Sequence, residues 1–148
     1  MLLILGSFPG RRSLEKREYY AHPRNQFWRI MEALFGIGRH LPYGERIDGL
    51  VSHRIALWDV IGACHRKGSA DYRIKRPSLN PMQHLLASHP MIRGIACNGI
   101  TAARYADKLR LPSNIRIIPL PSTSPANTRF TLAEKTEQWA ILKEIFTP

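Results

Sequence analysis

The stretch Leu2–Gly6, with the sequence LLILG, decides the fold class of this chain. Four consecutive apolar residues ended by a glycine indicate a strand that is buried on both faces, as in parallel sheets. Three more apolar runs follow, at Arg54–Ile61, Ile92–Cys97 and Ile115–Leu120. Because helical segments separate these runs, we predict an α/β fold, a three-layer sandwich in which a four-stranded, mostly parallel sheet has helices on both faces.

The predicted helices fill the spaces between these strands. Phe27–Phe35 has apolar residues at helical spacing, and Gly36 stops it. Two stretches are predicted to be loops instead, a charged one at residues 7–20 and a basic one at Gly62–Pro77. The other predicted helices are Glu45–Ser52, Met82–Ser88, Thr101–Leu109 and Leu132–Phe146, the last with a stripe formed by Trp139, Leu142, Ile145 and Phe146.

Length and charge limit the class of protein. A chain of 148 residues is predicted to form one domain, residues 1–148. Its 22 Lys and Arg against 11 Asp and Glu give a formal net charge of +11, which favours a polyanionic partner, although a basic protein without such a partner stays open. Cys64 and Cys97 are too few for a four-cysteine metal site, and we expect reduced thiols in a cytoplasmic, intracellular protein.

Glycine, proline and small polar residues gather at the predicted carboxyl ends of all four strands. Ligands of parallel sheets bind beyond these ends. The glycine spacing of a dinucleotide or phosphate loop is absent after the first strand, and the serines after the fourth strand do not form a nucleophile elbow. A binding site of another kind is therefore expected at Gly6–Gly10, Asp59–Cys64, Asn98–Gly99 and Pro121–Asn127.

The segment Tyr19–Trp28, with the sequence YYAHPRNQFW, combines rings and amides before a helix. The amide of Asn25 cannot take a proton near neutral pH, but its carbonyl oxygen can orient a water molecule. Asn25 is also well placed to cap the helix that follows. Tyr19 and Tyr20 can stack on a nucleobase, or they can simply pack in the protein.

Asp59 ends an apolar strand, where a buried carboxylate is costly unless it is used or paired. It can accept a hydrogen bond from a ring N–H of a base. A salt bridge to Arg66, or a cap for the following loop, is the alternative. The histidines show no metal-ligand spacing, and the signature of a zinc deaminase is absent.

Three of these motifs together resemble the uracil-DNA glycosylase superfamily, and most closely its hypoxanthine-DNA (deoxyinosine) glycosylase branch. They are Gly6–Gly10 (GSFPG), Tyr20–Trp28 (YAHPRNQFW) and Pro121–Asn127 (PSTSPAN), and Leu57–Val60 and Asn98–Gly99 fit the same pattern. The resemblance covers nearly the whole chain. It implies a three-layer α/β fold that opens onto a base-flipping pocket, with no metal or organic cofactor.

The resemblance also implies roles for individual residues. Asn25 would position the hydrolytic water, and Tyr20 would stack on the flipped base. Main-chain groups of Ser7 and Phe8 would bind the base together with Asp59. The loop residues Ser122, Thr123, Ser124, Pro125 and Ala126 would contact the minor groove.

Two residues depart from the pattern of the superfamily. Phe8 stands where mismatch-specific relatives carry Asn, and Ser122 stands where relatives often carry His or Asn. Both changes remove familiar catalytic groups, so activity on uracil is in question. The catalytic role therefore falls on Asn25.

The expected function is hydrolysis of the N-glycosidic bond of a deaminated base in DNA, chiefly hypoxanthine, to leave an abasic site. We expect a monofunctional, monomeric enzyme that needs no metal or membrane. Three alternatives stay open: a uracil- or mismatch-type glycosylase of the same superfamily, a non-catalytic nucleic-acid-binding module, and a glycosidase of free nucleosides.

Overall fold

The apolar stretch at the start of the chain is a central strand of a parallel sheet. In the computed structural model, which describes residues 1–145, four strands lie side by side and all pair in parallel, in the order Ile55–Asp59 (β2), Leu2–Gly6 (β1), Gly94–Asn98 (β5) and Arg116–Leu120 (β6). Because β1 has a neighbour on each edge, none of its main-chain polar groups needs water. The strands are β1 (Leu2–Gly6), β2 (Ile55–Asp59), β3 (Ile61–His65), β4 (Lys75–Leu79), β5 (Gly94–Asn98) and β6 (Arg116–Leu120).

Helices cover both faces of this sheet. They are α1 (Arg11–Lys16), α2 (Phe27–Phe35), α3 (Tyr43–Ser52), α4 (Met82–Ser88), α5 (Ile100–Ala106), α6 (Leu132–Trp139) and α7 (Ile141–Ile145). Leu2 and Ile4 of β1 join a core with α2, α3 and α6, whereas Leu3 and Leu5 point to the other face and join a core with α4 and α5. The predicted three-layer α/β fold is confirmed.

Local signals in the sequence fix two helix ends. Gly36 follows α2 with a φ of 70°, a left-handed conformation that glycine adopts without strain. At the start of α6, the Thr131 hydroxyl accepts a hydrogen bond from the Glu134 amide, and the Glu134 carboxylate accepts one from the Thr131 amide. This reciprocal pair is a capping box.

The prediction of a loop at Gly62–Pro77 was wrong. This segment contains most of β3 and most of β4, which pair with each other in an antiparallel hairpin. Every residue of β4 is exposed, so the strand has no apolar alternation that would reveal it in the sequence. Short α1 was missed for the same reason, because none of its residues is buried.

The predicted last helix is divided in two. α6 ends at Trp139 and α7 begins at Ile141, with Ala140 between them. Trp139 and Leu142 are buried as predicted, and Phe146 lies outside the described residues. Within residues 1–145, no helix has both the length and the apolar composition needed to cross a membrane.

Candidate active site

The four strand ends that carried the predicted motifs meet at one edge of the sheet. Gly6 lies beside Asp59 in the register of β1 and β2, and Asn98 lies beside Leu120 in that of β5 and β6. Main-chain hydrogen bonds continue past the strands, since the Gly99 amide donates to the Leu120 carbonyl at 2.9 Å. Two surface cavities of about 360 and 460 Å³ lie elsewhere, near the amino ends of the strands, and no predicted site residue lines them.

Asp59 is buried at this edge, and its carboxylate has no partner among residues 1–145. Its residue is 8% exposed, and no described residue donates a hydrogen bond to its carboxylate or forms an ion pair with it. Burial, followed by the negative charge of Asp71, raises the pKa of Asp59 to about 7, and Arg66 opposes that rise. The alternative of a salt bridge to Arg66 is not found, because the Arg66 guanidinium instead lies 3.9 Å from Asp71.

Gly6 leaves the room that the Asp59 side chain occupies. A Cβ atom added at Gly6 would overlap with Oδ1 of Asp59 and would lie 3.4 Å from the Tyr20 hydroxyl. Any larger residue at the end of β1 would therefore displace the carboxylate. The glycine that ends the first strand is needed for this close approach of a side chain to the backbone.

Tyr20 lies next to Asp59 and Gly6 but is not a free platform. Its ring stacks on Phe27, with centroids 4.1 Å apart and an angle of 27° between the planes, so one face is covered. The Tyr20 hydroxyl is buried without a hydrogen-bond partner among residues 1–145. Burial and then the charge of Asp59 raise the pKa of Tyr20 above its usual value. Stacking of a base on Tyr20 stays a prediction, now for one face of the ring.

Asn25 supports the start of α2, although the N-cap residue itself is Gln26. Its Oδ1 accepts a hydrogen bond from the Phe27 amide at 2.9 Å, which forms an Asx-turn at the start of α2. The side chain is half-buried, and its amide nitrogen donates to no described residue. One lone pair of Oδ1 and the NH₂ group therefore stay available for a water molecule. The water-positioning role of Asn25 stays a prediction that its capping role does not exclude.

The loop Pro121–Asn127 is held by buried polar groups. The Asn98 side chain accepts a hydrogen bond from the Thr123 amide at 2.9 Å and donates one to the Thr123 hydroxyl at 3.0 Å. Thr123 is fully buried, so its side chain offers no surface to DNA. We therefore correct the prediction for Thr123, whose side chain supports the loop. Ser122, Ser124, Pro125 and Ala126 are at least partly exposed.

Lys135 connects this loop to the Asn25 segment. Although 1% exposed, its ammonium group donates to Oε1 of Gln26 and to the Asn127 carbonyl, both at 2.8 Å. The Gln26 amide in turn donates to the Thr123 carbonyl at 3.0 Å. The second and third motifs therefore form one bonded unit. The sequence did not single out Lys135, because a lysine in an amphipathic helix normally lies on its solvent-facing side.

The first motif presents free main-chain donors. The amides of Ser7 and Phe8 donate no hydrogen bond within the described part of the chain. The Ser7 hydroxyl donates to both carboxylate oxygens of Asp71, at 2.9 and 2.8 Å. Arg66 covers the Phe8 ring, with its guanidinium carbon 4.9 Å from the ring centroid. Asp71 and Arg66 belong to the hairpin that was predicted to be a loop, so their positions at this site could not be predicted.

A family model matches this chain over residues 1–145, and it describes the Uracil DNA glycosylase superfamily. The chain belongs to this superfamily. Two curated relatives, both hypoxanthine DNA glycosylases, are each 36% identical to it. The protein of Methanosarcina acetivorans aligns over 96% of this chain and 90% of its own length, and that of Methanosarcina barkeri over 94% and 87%.

The fold agrees with a solved member of the superfamily. The solution NMR structure of a proposed uracil DNA glycosylase from Methanosarcina acetivorans superposes with a TM-score of 0.84 at 35% sequence identity. The match covers 99% of this chain and 91% of that one. The predicted superfamily, fold class and enzyme class are confirmed. The roles of individual residues stay predictions.

Proposed function

We propose that this protein is a monofunctional DNA glycosylase that removes deaminated bases from DNA, chiefly hypoxanthine. The observation that carries the proposal is the carboxylate of Asp59, a residue that is 8% exposed and whose carboxylate has no partner among residues 1–145, near the free amides of Ser7 and Phe8. A polar group that has little water and no partner raises the free energy of the free protein, and a ligand that pairs with it removes this cost. The likeness to hypoxanthine DNA glycosylases over nearly the whole chain supports the same substrate.

Base recognition follows from hydrogen-bond complementarity. Hypoxanthine has an N1–H donor and acceptors at O6 and N7. The Asp59 carboxylate accepts from N1–H, and the Ser7 and Phe8 amides donate to the acceptors. Adenine has no N1–H and turns a lone pair toward the carboxylate, which leaves buried polar groups unpaired. The site therefore favours a deaminated purine that has been extruded from the duplex.

Bond cleavage needs a stabilised leaving base and a positioned water molecule. The bond between C1′ and N9 breaks, and its electron pair leaves with the base as an anion that the main-chain donors stabilise. The sugar becomes oxocarbenium-like. Water held by Asn25 then adds to C1′, and its proton passes to solvent or to the departed base. Asn25 orients the water without accepting that proton, because an amide is not basic near neutral pH.

The charge of the protein supports a DNA substrate. A formal net charge of +11 attracts the phosphate backbone and is not needed to bind a free nucleoside. The exposed residues Ser122, Ser124, Pro125 and Ala126 would enter the minor groove. A monomer suffices for this mechanism, and an intracellular location follows from a substrate in DNA.

One assay separates this proposal from its alternatives. The protein is incubated with otherwise identical duplexes that carry hypoxanthine, uracil, xanthine or no lesion, and abasic sites are detected by alkaline cleavage. We expect the fastest excision with hypoxanthine. Faster excision of uracil would indicate a uracil- or mismatch-type enzyme, and binding without excision a non-catalytic module. Activity confined to free inosine would indicate a nucleosidase.

A further inference from the structure

A basic hairpin projects beside the proposed site. We define the hairpin arm as residues 61–79, which comprise β3, a short 3₁₀ turn at Asp71–Arg73 and β4. One acidic residue, Asp71, faces five basic residues in this segment. The basic residues are Arg66, Lys67, Arg73, Lys75 and Arg76.

The contacts of the arm divide these charges into an inner and an outer set. Asp71 is bonded to Ser7 at the end of β1, and Arg66 donates to the carbonyl of Pro9. The Ser69 hydroxyl accepts from the Arg11 amide at 3.0 Å. The only carboxylate of the arm is therefore used to attach it to the site. The remaining cations are exposed, namely Lys67, Arg73, Lys75 and Arg76.

Tyr72 is the one Phe, Tyr or Trp residue of the arm. It is 82% exposed, and it directly follows Asp71, which anchors the arm to Ser7. The Arg73 guanidinium lies 5.4 Å from the centroid of the Tyr72 ring, and its Nε donates to the Tyr72 hydroxyl at 3.1 Å. An exposed ring among cations is the combination with which proteins bind unstacked bases and their phosphates.

The loop Pro121–Asn127 cannot supply such a ring. Its exposed side chains are small, namely those of Ser122, Ser124, Pro125 and Ala126. They can press into a groove, but none is large enough to stack on a base that loses its neighbour when a nucleotide is extruded. Tyr72, anchored next to the first motif, has the size and the exposure to do so.

We propose that the hairpin arm is a second DNA-binding element, in which its exposed cations hold phosphates and Tyr72 stacks on a base beside the extruded nucleotide. The proposal rests on the proposed function, since it assumes a DNA substrate with one nucleotide flipped out. It deepens that function by assigning the support of the opened duplex to a segment outside the three motifs.

A structural role for the same residues makes a different prediction. Lysines, arginines and a proline on an edge strand such as β4, which pairs with β3 on one side only, protect a sheet edge from pairing with another chain. In that case their removal would promote association of the protein and leave its affinity for DNA unchanged. Affinity and oligomeric state together therefore discriminate between the two roles.

The test measures binding to a duplex that contains a non-cleavable tetrahydrofuran abasic analogue next to 2-aminopurine, by anisotropy at several salt concentrations. Tyr72→Ala should weaken binding about fivefold or more and abolish the protein-induced change in 2-aminopurine fluorescence, whereas Tyr72→Phe should retain both. The double variant Lys67→Ala/Lys75→Ala should reduce the slope of log Kd against log salt concentration by about two, which is about one for each lost phosphate contact. Arg93→Ala/Arg116→Ala, with the same charge change at the amino ends of the strands, should not.

Equal affinities and equal 2-aminopurine signals for Tyr72→Ala and the wild-type protein would overturn the proposal, as would equal salt slopes for the two double variants. Excision of hypoxanthine by the wild-type protein is measured in parallel. If the wild-type protein excises the base while the arm variants bind normally, the arm fails and the proposed function stands. If the wild-type protein excises no base while the arm variants lose affinity for DNA, the arm is a DNA-binding element and the proposed glycosylase function fails.

Discussion

Two regions at the same edge of the sheet differ in whether their polar groups have hydrogen-bond partners. The loop Pro121–Asn127 is cross-linked, because Asn98 and Lys135 bond to it and the Trp139 ring N–H donates to the Pro121 carbonyl at 3.0 Å. Around Asp59, in contrast, the carboxylate has no hydrogen-bond or ion-pair partner in the described chain, and the Tyr20 hydroxyl is buried without one.

This difference suggests that the two regions have separate roles, one in the chemical step and one in base selection. Hydrogen bonds that are already satisfied fix the loop and the Asn25 segment before DNA binds, which reduces the entropy lost on binding. Unpaired groups around Asp59 destabilise the free protein and gain partners when a base enters. Substitutions in the cross-linked region should therefore affect the rate of the chemical step, and those around Asp59 should affect which base is accepted.

The largest effect is expected for Asn25→Ala, which tests the cross-linked region. Loss of the water-positioning amide should lower the single-turnover rate of hypoxanthine excision by about two orders of magnitude or more, while DNA affinity is retained. The change also removes the acceptor for the Phe27 amide, at a cost of about 1 kcal/mol. Asn25→Ser serves as the control, because serine can restore the cap and hence the thermal stability without restoring the amide. Unchanged excision by Asn25→Ala would remove this residue from catalysis.

Gly6→Ala should produce the next largest effect, in the region of unpaired groups. The new Cβ would overlap with Oδ1 of Asp59, so the carboxylate must leave the position from which it reads the base. We expect excision of hypoxanthine to fall at least tenfold in the same single-turnover assay. Gly44→Ala is the matched control, since a Cβ there meets no atom within 4 Å and alanine favours helix α3. Equal rates for the two variants would mean that the Asp59 position is not critical.

A smaller effect, which depends on pH, is expected at Asp59. Its pKa of about 7 means that the carboxylate is largely protonated at pH 6 and can then donate a hydrogen bond to N1 of adenine. The preference for hypoxanthine over adenine should therefore narrow several-fold between pH 8 and pH 6. Asp59→Asn should show a weak preference that no longer depends on pH over this range. A wild-type preference that is constant from pH 6 to 8 would exclude Asp59 from base reading.

The same pKa has a consequence for stability. The folded-state pKa of Asp59 lies above the ordinary value of 3.8, so between these values the native protein binds a proton that the unfolded chain has lost. The contribution of Asp59 to the free energy of unfolding therefore falls as pH rises from about 4 to about 7. In denaturant unfolding, Asp59→Asn should have a larger free energy of unfolding than the wild-type protein at pH 8, and this difference should shrink toward pH 4.

The sequence predicted those parts of the fold whose buried residues form a recognisable apolar pattern. All four strands of the parallel sheet appear as apolar runs, and the two central strands, β1 and β5, are buried along their whole length, which leaves an unbroken apolar signal. The hairpin arm left no such signal, since β4 is exposed along its whole length. As a result, the contacts of Asp71 and Arg66 with the first motif could not be predicted.

The candidate site was predictable to a similar degree. Polar residues at strand ends were correctly placed at one edge, because parallel strands share a direction. Residues that act over long sequence distances were not found. Lys135 is 109 residues from its partner Gln26, and nothing in the sequence near either residue indicates the pair. Tyr20 was recognised as an important ring, but its stacking on Phe27 was not predicted. The backbone at Tyr20 is left-handed, with a φ of 56°, and no signal in the sequence indicates this conformation.

The smallest effect is expected for Tyr20→Phe, which removes a single oxygen from the region of unpaired groups. Because the Tyr20 hydroxyl is buried without a partner among residues 1–145, its removal should raise the free energy of unfolding by up to about 1 kcal/mol and change excision less than twofold. Tyr43→Phe is a control of opposite sign. The Tyr43 hydroxyl accepts a hydrogen bond from the Tyr19 amide at 3.0 Å, so its loss should destabilise the protein by about 1 kcal/mol. Denaturant unfolding of both variants measures the two effects. If Tyr20→Phe is destabilised as much as Tyr43→Phe, the Tyr20 hydroxyl is bonded in the free protein, and the contrast between the two regions reduces to Asp59.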